Sequence, residues 1–501
     1  MKIFTSILIV SVVLNTSFSF AQPGTLDSTF GRDGKVTTAF SEQSEAYSVA
    51  LQADGKIILA GFSGKYPDYN FALTRYKSNG RIDKTFGVDG KAITDFGGYD
   101  KAYSVAIQPD GRIVAAGYTL VGHDDDFALA RYKQNGDLDS AFGVNGKVTT
   151  DFENANDFGS AVAIQTDRKI VVAGYSAGSF LLARYKPNGE LDNAFGVKGR
   201  AAVDVGDSYS QSHSVAVQAD GKIVIVGEAK GDFVLVRYNQ DGKLDSAFGL
   251  NGKVTTDFGN PDAGNSIAIQ ADGRMVVAGF TYSALNHNDF ALARYKPNGK
   301  LDSSFGLDGK VTTNFGPSAV SRSVAIQQDG RIVAAGYNSL DFAVARYEPN
   351  GHIDKVFGVN GKVTTDFGNS PEQGQSVAIQ ADGKILVGGI SGKMFAIARY
   401  HGDNNFSVNS SGNNFSRIKN LNSNTSAIHL SPNPVKRILR IEGLSTLSKT
   451  ISIFDATGKL LQQVTTANSS YFFNVRQLAA GIYFLRIDEG EKTTTLKFIK
   501  E

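Results

Sequence analysis

Three segments of the 501-residue sequence hold side chains suited to gripping a ligand: SGKYPDYN (63–70), TLVGHDDD (119–126) and TYSALNHND (281–289). They offer Tyr66, Tyr69, His123, Asp124, Asp125, Asp126, Tyr282, His287 and Asp289. A tyrosine presents an apolar ring with a polar tip, which suits contact with a sugar or a protein surface. The run Asp124–Asp126 gathers enough carboxylate to attract a cation. Taken singly, each of these residues is ordinary for a solvated loop. With no Trp in the chain, any stacking platform rests on tyrosine.

Other chemistries lack their residues. There is no Cys, so disulfides, thiolate metal sites and cysteine nucleophiles are excluded. The six His fall in no metal-ligand spacing, and neither a G-x-S-x-G elbow nor a phosphate-binding loop is present. The many Asp-Gly pairs fit no EF-hand and read as turns. A net charge of +2 points to no nucleic-acid partner. No catalytic, cofactor-binding or metal-binding residue is therefore assigned.

The three candidate segments interrupt a repeat. The phrase [LI]-D-x-x-F-G begins at Leu26, Ile82, Leu138, Leu191, Leu244, Leu301 and Ile353, spaced by 52 to 57 residues. Between successive copies lie phrases like SVAIQPDGRIVAAGY (104–118) and DFALARYKPNG (289–299). Each unit reads as four short strands: SVAIQ, a D-G turn, KIVVAGY, a variable loop, FALARYK, an x-N-G turn and LDSSF. At Asp167-Arg168 an Arg replaces the turn glycine, and strain is expected there. The second strand is apolar throughout, as in Ile170–Gly174, so both its faces are covered. Seven four-stranded units predict an all-β, seven-bladed β-propeller over 22–402.

The repeat is divided between the two ends of this region. PGTLDSTFG (23–31) has no RY before it, and the last RY, at 399–400, has no LDxxFG after it. An open solenoid has no use for that division, whereas a ring must be closed. The N-terminal segment is expected to complete the last blade by pairing with FAIARY (395–400). An offset of eight residues sets Arg75 opposite Asp83 and repeats through Arg346–Asp354; by the same logic Arg399 pairs with Asp27. If exposed, such pairs are worth only about 0–1 kcal/mol each and serve register.

These phrases resemble the delta-60 repeats of bacterial extracytoplasmic proteins, with a blade grammar similar to NHL propellers. The resemblance implies a fold and a location, and no reaction. At the N-terminus Lys2, an apolar stretch over 3–14 and small residues at Ser19 and Ala21 read as a signal peptide, 1–21, too short to span a bilayer. No later segment is apolar enough to span. An Asn/Ser-rich linker, 403–427, leads to a compact run, 428–501, whose short strands predict a small β-sandwich. There SPNPVKRILRI (431–441), IFDATGKLL (453–461), LAAGIYFLRI (478–487) and the terminal LKFIKE resemble, in order, the type A sorting domain of type IX secretion in Bacteroidetes. That resemblance implies passage through the periplasm, engagement of the type IX machinery by 428–501, and a secreted or outer-membrane-surface protein.

Residues demanded by every blade serve the blade, so function is expected where blades differ. Those places are the loop between strands two and three and the segment entering strand one, which share a face. The resulting expectation is a non-enzymatic protein that binds a glycan or a surface protein there. The alternative is an extracellular lyase or hydrolase with its site at the channel mouth, and a passive spacer is a third reading. Oligomeric state is open.

Overall fold

A computed structural model of the chain describes residues 22–403, less 153–154, 284–286, 317 and 369–370, and the strands with their immediate neighbours between 429 and 500. The expected signal peptide and the linker from residue 404 onward lie outside the described residues. Two compact units result, Met1–Val408 and Asn409–Glu501.

The first unit holds seven four-stranded antiparallel sheets, here blades I to VII. Blade I is Gln43–Leu51, Ile57–Lys65, Asp68–Tyr76 and Lys91–Thr94. Blades II to VI repeat that order over 99–150, 158–204, 211–256, 262–313 and 319–365. Blade VII takes Glu372–Ile379, Ile385–Ser391 and Met394–Tyr400 from its own stretch and its fourth strand, Lys35–Thr38, from the N-terminal end. The second and third strands are buried on both faces, because each blade packs against the next: Ile58, Ala60, Phe71 and Leu73 of blade I share one apolar cluster with Ala102, Val105, Ile113 and Ala115 of blade II.

The fourth strand is not the LDxxF segment the sequence suggested. It is the KVTT that follows. In LDxxF the aspartate folds the chain back on itself: Asp27 Oδ1 accepts from Thr29 N at 3.0 Å, and Asp27 O accepts from Phe30 N at 2.9 Å. Only the leading Leu or Ile keeps a single bridge to the third strand, Leu26 to Tyr400 at the seam. The Phe is buried, with the guanidinium of the third-strand Arg 4.3–4.8 Å over its ring in all seven blades.

Closure of the ring follows the expected logic. Lys35–Thr38 pair with Ala398–Phe395, and Arg399 Nε meets Asp27 Oδ2 at 3.0 Å. The Arg–Asp pairs are buried rather than exposed, so they carry more than register. Two further sets of bonds run around the ring. The Ser of each SVAIQ accepts the main-chain amide of the next blade: Val105 N on Ser48 Oγ, Val162 N on Ser104 Oγ, and onward to Val49 N on Ser376 Oγ, each 3.1 Å. The third-strand Tyr bonds the Thr that ends the previous blade's fourth strand, as Tyr76 Oη does to Thr38 Oγ1 at 2.7 Å across the seam. Blade III breaks both patterns, with Ala161 in place of the serine and Val203 in place of the threonine. The hydroxyl of Tyr238, buried, consequently has no hydrogen-bond partner.

Every first strand carries a β-bulge at the same place, one residue before SVAIQ. The bulged residue is Tyr in blades I and II and differs in every other blade: Tyr47, Tyr103, Ser160, His213, Asn265, Arg322 and Gln375. Bulges re-aim side chains, and here they set six residue types along the inner strands. At the Asp167-Arg168 turn, Arg168 takes φ +67°, the left-handed region that its six glycine counterparts occupy freely.

In the second unit, His429–Ser431, Ile438–Glu442 and Ser470–Asn474 form one sheet. Leu460–Thr466, Lys449–Asp455, Gly481–Glu489 and Lys492–Lys500 form another, in that order. Leu439, Ile441 and Phe473 from the first share a core with Ile451, Ile453, Leu485 and Phe498 from the second. Among the described residues no helix is long and apolar enough to cross a membrane.

Candidate functional site

The longest second and third strands, nine residues each, belong to neighbouring blades I and II, and a pocket of about 640 Å³ lies between their hairpins. Blade I contributes Tyr66, Pro67 and Asp68; the connection to blade II contributes Asp95, Gly97, Gly98 and Tyr99; blade II contributes Tyr118, Leu120, Gly122 and Asp125. The hairpins are long because blades I and II extend these strands to nine residues, against seven in blades III, IV, VI and VII. The extra pairs lift Tyr66 and Asp125 above the rim.

Behind the pocket the rings are continuous. Tyr69 lies 5.1 Å from Tyr99 and 4.5 Å from Phe62, centroid to centroid. Tyr99 reaches Tyr118 at 6.3 Å, Tyr118 reaches Tyr103 at 5.7 Å, and Tyr103 reaches Tyr47 at 4.6 Å. Phe158 and Tyr175 continue the belt into blade III. Lys101 threads its ammonium among them, 4.4 Å from Phe62, 5.0 Å from Tyr99 and 5.3 Å from Tyr69. That contact holds Tyr99, the one of the three rings that lines the pocket.

Of the nine sequence candidates, the structure brings together Tyr66, Tyr69 and Asp125. His123 and Asp124 sit on the same blade II hairpin without lining the pocket, His123 exposed. Asp126 turns the other way, into a group with Asp151 and Asp157. Tyr282, His287 and Asp289 lie on blade V, away from this pocket, where His287 and Asp289 hold each other and Asn314. The residues that the candidates omit are Tyr99, Tyr118, Lys101 and the bulged Tyr47 and Tyr103. For Tyr47 and Tyr103 a signal was available: aligned on SVAIQ, the preceding residue is Tyr in these two blades and in none of the other five.

Electrostatically the pocket is acidic at its rim. Burial, then the charges of Asp126 and Asp124, push the Asp125 carboxyl above its usual range. The phenols are held protonated: burial raises Tyr118 and Tyr47 far up, and raises Tyr103 to about 12. What the arrangement can do is stack a ligand's apolar face on Tyr66, Tyr99 and Tyr118 and accept its hydroxyl protons on Asp68, Asp95 and Asp125.

Residues 52–86, 108–142, 165–195, 218–248, 270–305 and 327–357 match the family model described as a domain of unknown function (DUF5122) beta-propeller. Residues 429–501 match the secretion system C-terminal sorting domain. The chain is a β-propeller protein with a type IX secretion sorting tail. The tail marks the propeller protein as secreted or cell-surface. Nothing among curated proteins matches its sequence significantly. Among solved structures it is similar to PorZ, a bacterial surface component of the type IX secretion system of Porphyromonas gingivalis, at 12% identity and TM-score 0.40 over 90% of this chain. The propeller protein covers 59% of PorZ's length. It is also similar to Sqt1 of Chaetomium thermophilum (10% identity, TM-score 0.44, 72% of this chain and 97% of that one). A protein from Lactobacillus plantarum is similar at 12% identity and TM-score 0.43, over 84% of this chain and 99% of that one.

Proposed function

We propose that the propeller protein, exported through the periplasm and delivered by its tail to the cell surface or beyond, binds a glycan in the pocket between blades I and II. One observation carries the reading: Tyr66, Tyr99 and Tyr118 wall a cleft of about 640 Å³ that also presents three carboxylates, Asp68, Asp95 and Asp125. Sugar rings offer apolar C–H faces edged by hydroxyl donors, and this lining answers both. Lys101 already occupies the cationic position of the aromatic cage, so a neutral ligand fits better than a cationic one.

The test is calorimetric titration of the full secreted chain with neutral oligosaccharides from outer-envelope, plant and algal walls. Tyr99→Ala and Tyr118→Ala each remove a stacking wall and are expected to weaken binding about tenfold or more, since a buried aromatic contact is worth more than ~1 kcal/mol. Tyr282→Ala, on blade V, should leave affinity unchanged. Capture of a surface protein that competes at Tyr99, with no heat from any oligosaccharide, would replace the glycan by a protein ligand. Binding that ignores both tyrosine substitutions would remove the pocket from the reading.

A further inference from the structure

The bulged residues of the seven first strands ring the centre of the propeller, because those strands adjoin one another all the way round. A bulged side chain meets the residue of its own blade that follows the second-strand glycine. Tyr47 lies 6.1 Å from Phe62 and Tyr103 5.7 Å from Tyr118, centroid to centroid, and His213 Nε2 lies 3.9 Å from Glu228 Oε1. In blade VI the pair is Arg322 and Tyr337, with the guanidinium 5.8 Å from the ring centroid.

Six of the seven have a polar partner within the chain. Tyr47 Oη donates to Glu45 Oε2 at 2.6 Å, and the Tyr103 and Tyr118 hydroxyls share a hydrogen bond. Ser160 Oγ lies 3.2 Å from Ser212 Oγ, and His213 faces Glu228. Asn265 Nδ2 donates to Ser321 O at 2.8 Å, and Gln375 Nε2 to Gln373 Oε1 at 3.0 Å. Arg322 is the exception. It is half-buried, and among the described residues no hydrogen bond or ion pair reaches its guanidinium; its Nε, shut off from solvent, has no partner.

The blades on either side set no acid at the matching places. Blade V has Asn265 at the bulge and Phe280 opposite Ala263; blade VII has Gln375 at the bulge and Ile390 opposite Gln373. Asp262 and Glu372, at the starts of those first strands, are buried and spent on the main-chain amides of Phe258 and Phe367. The acids of the ring stand on blades I and IV and are engaged, Glu45 by Tyr47 and by Gln43 Nε2 at 2.9 Å, Glu228 by His213. A guanidinium carries five N–H donors in a planar fork. The face of Tyr337 attracts its charge and leaves those donors free. A half-buried cation of this kind is stabilised by a counter-ion, and the chain supplies none.

We propose that the centre of the propeller binds a small organic carboxylate at Arg322. The two oxygens of a carboxylate match two parallel N–H groups of the guanidinium, a planar fit that other anions make less well. The amides of Asn265 and Gln375, on the flanking blades, each keep a second N–H for the same ligand. The rings of Phe280 and Tyr337 suit its apolar part, as aromatic walls with a few placed polar groups do in small-molecule sites. This site is separate from the tyrosine pocket. It lies on blades V to VII and takes an anion, whereas the pocket between blades I and II presents carboxylates of its own.

Calorimetric titration of the full secreted chain with benzoate, succinate and glutamate at low ionic strength is expected to give saturable binding of at least one of them. Added salt should weaken it. Arg322→Gln should lower the affinity about tenfold or more, because it removes a charge-assisted bidentate pair. Arg322→Lys keeps the charge and loses the fork, so its affinity should fall between the two. Tyr99→Ala, in the other pocket, should leave the affinity unchanged. Because Arg322 holds no polar group of the chain, Arg322→Gln should keep the ligand-free melting temperature. A fall of several degrees there would assign the arginine to the fold and overturn the proposal. So would silence from all three carboxylates, binding that Arg322→Gln leaves unchanged, or inorganic phosphate bound as tightly as the carboxylates.

Discussion

Replacing Asp27 by alanine tests whether a buried ion pair holds the ring shut. The carboxylate meets Arg399 Nε at 3.0 Å and Lys384 Nζ at 3.3 Å, and accepts from Thr29 N and Oγ1 at 3.0 and 2.6 Å. Arg399, 5% exposed, cannot turn to water when its partner goes. Breaking a buried pair on one side costs about 3–5 kcal/mol. The guanidinium keeps Thr29 Oγ1 at 3.1 Å, the Ser78 carbonyl and the face of Phe30, which pulls the figure toward the lower end. A second route gives a similar size. Burial alone would raise the Asp27 carboxyl, but Thr29 and Arg399 hold it down at about 2, from 3.8. That preference for the charged form is worth about 2 kcal/mol, allowing for the solvent that reaches Lys384. The expected loss is therefore about 2–4 kcal/mol in urea unfolding. Asp83→Ala, within the Arg75 hairpin at 2.9 Å, should lose a similar amount. The two differ in place: only Asp27→Ala should speed amide exchange in Lys35–Thr38 and Phe395–Ala398. A loss below about 1 kcal/mol, or seam exchange no faster than in Asp83→Ala, would refute the reasoning.

Other outcomes follow from the same geometry. Because the folded-state value of Asp27 is depressed, its stabilisation is complete above the unfolded value near 3.8 and is lost as pH falls toward 2. An acid titration of Asp27→Asn by circular dichroism should accordingly be flatter in that window than that of the parent. Val203→Thr gives the buried Tyr238 hydroxyl the partner that its counterparts have, and should raise stability by about 1 kcal/mol in urea unfolding. Arg168→Gly relieves a side chain held at φ +67° and should add about 0.5–1 kcal/mol by the same measurement.

The repeat told most of the fold because its signals are local: D-G and N-G turns, an apolar second strand and the Arg–Asp offset all act within about ten residues. LDxxF misled because its Leu and Phe lie four apart, a spacing that fits the two-residue alternation of a strand, whereas the Asp-centred turn uses it to bury the Phe. KVTT, four residues long, carries little periodicity of its own. Tyr66, Tyr69 and Asp125 were readable as loop residues of adjacent blades. Tyr99 and Tyr118 were not, because their value comes from two strand extensions that become visible only when blades I and II stand side by side. Asp126 was grouped with its sequence neighbours, whereas its partners Asp151 and Asp157 are supplied by the next loop and the next blade.

The borrowed strand Lys35–Thr38 has a consequence in time. It is synthesised first and pairs with a segment made roughly 360 residues later. The ring's last hydrogen bonds are thus among its most non-local, and closing so long a loop is a late, slow event. Until then blade VII lacks an edge, and a nascent or truncated chain offers an open strand to any neighbour. The sorting tail follows the final propeller strand, so a chain cut short before Tyr400 carries neither a closable ring nor an address. With the address placed after the propeller, a chain that carries it already holds every strand the ring needs.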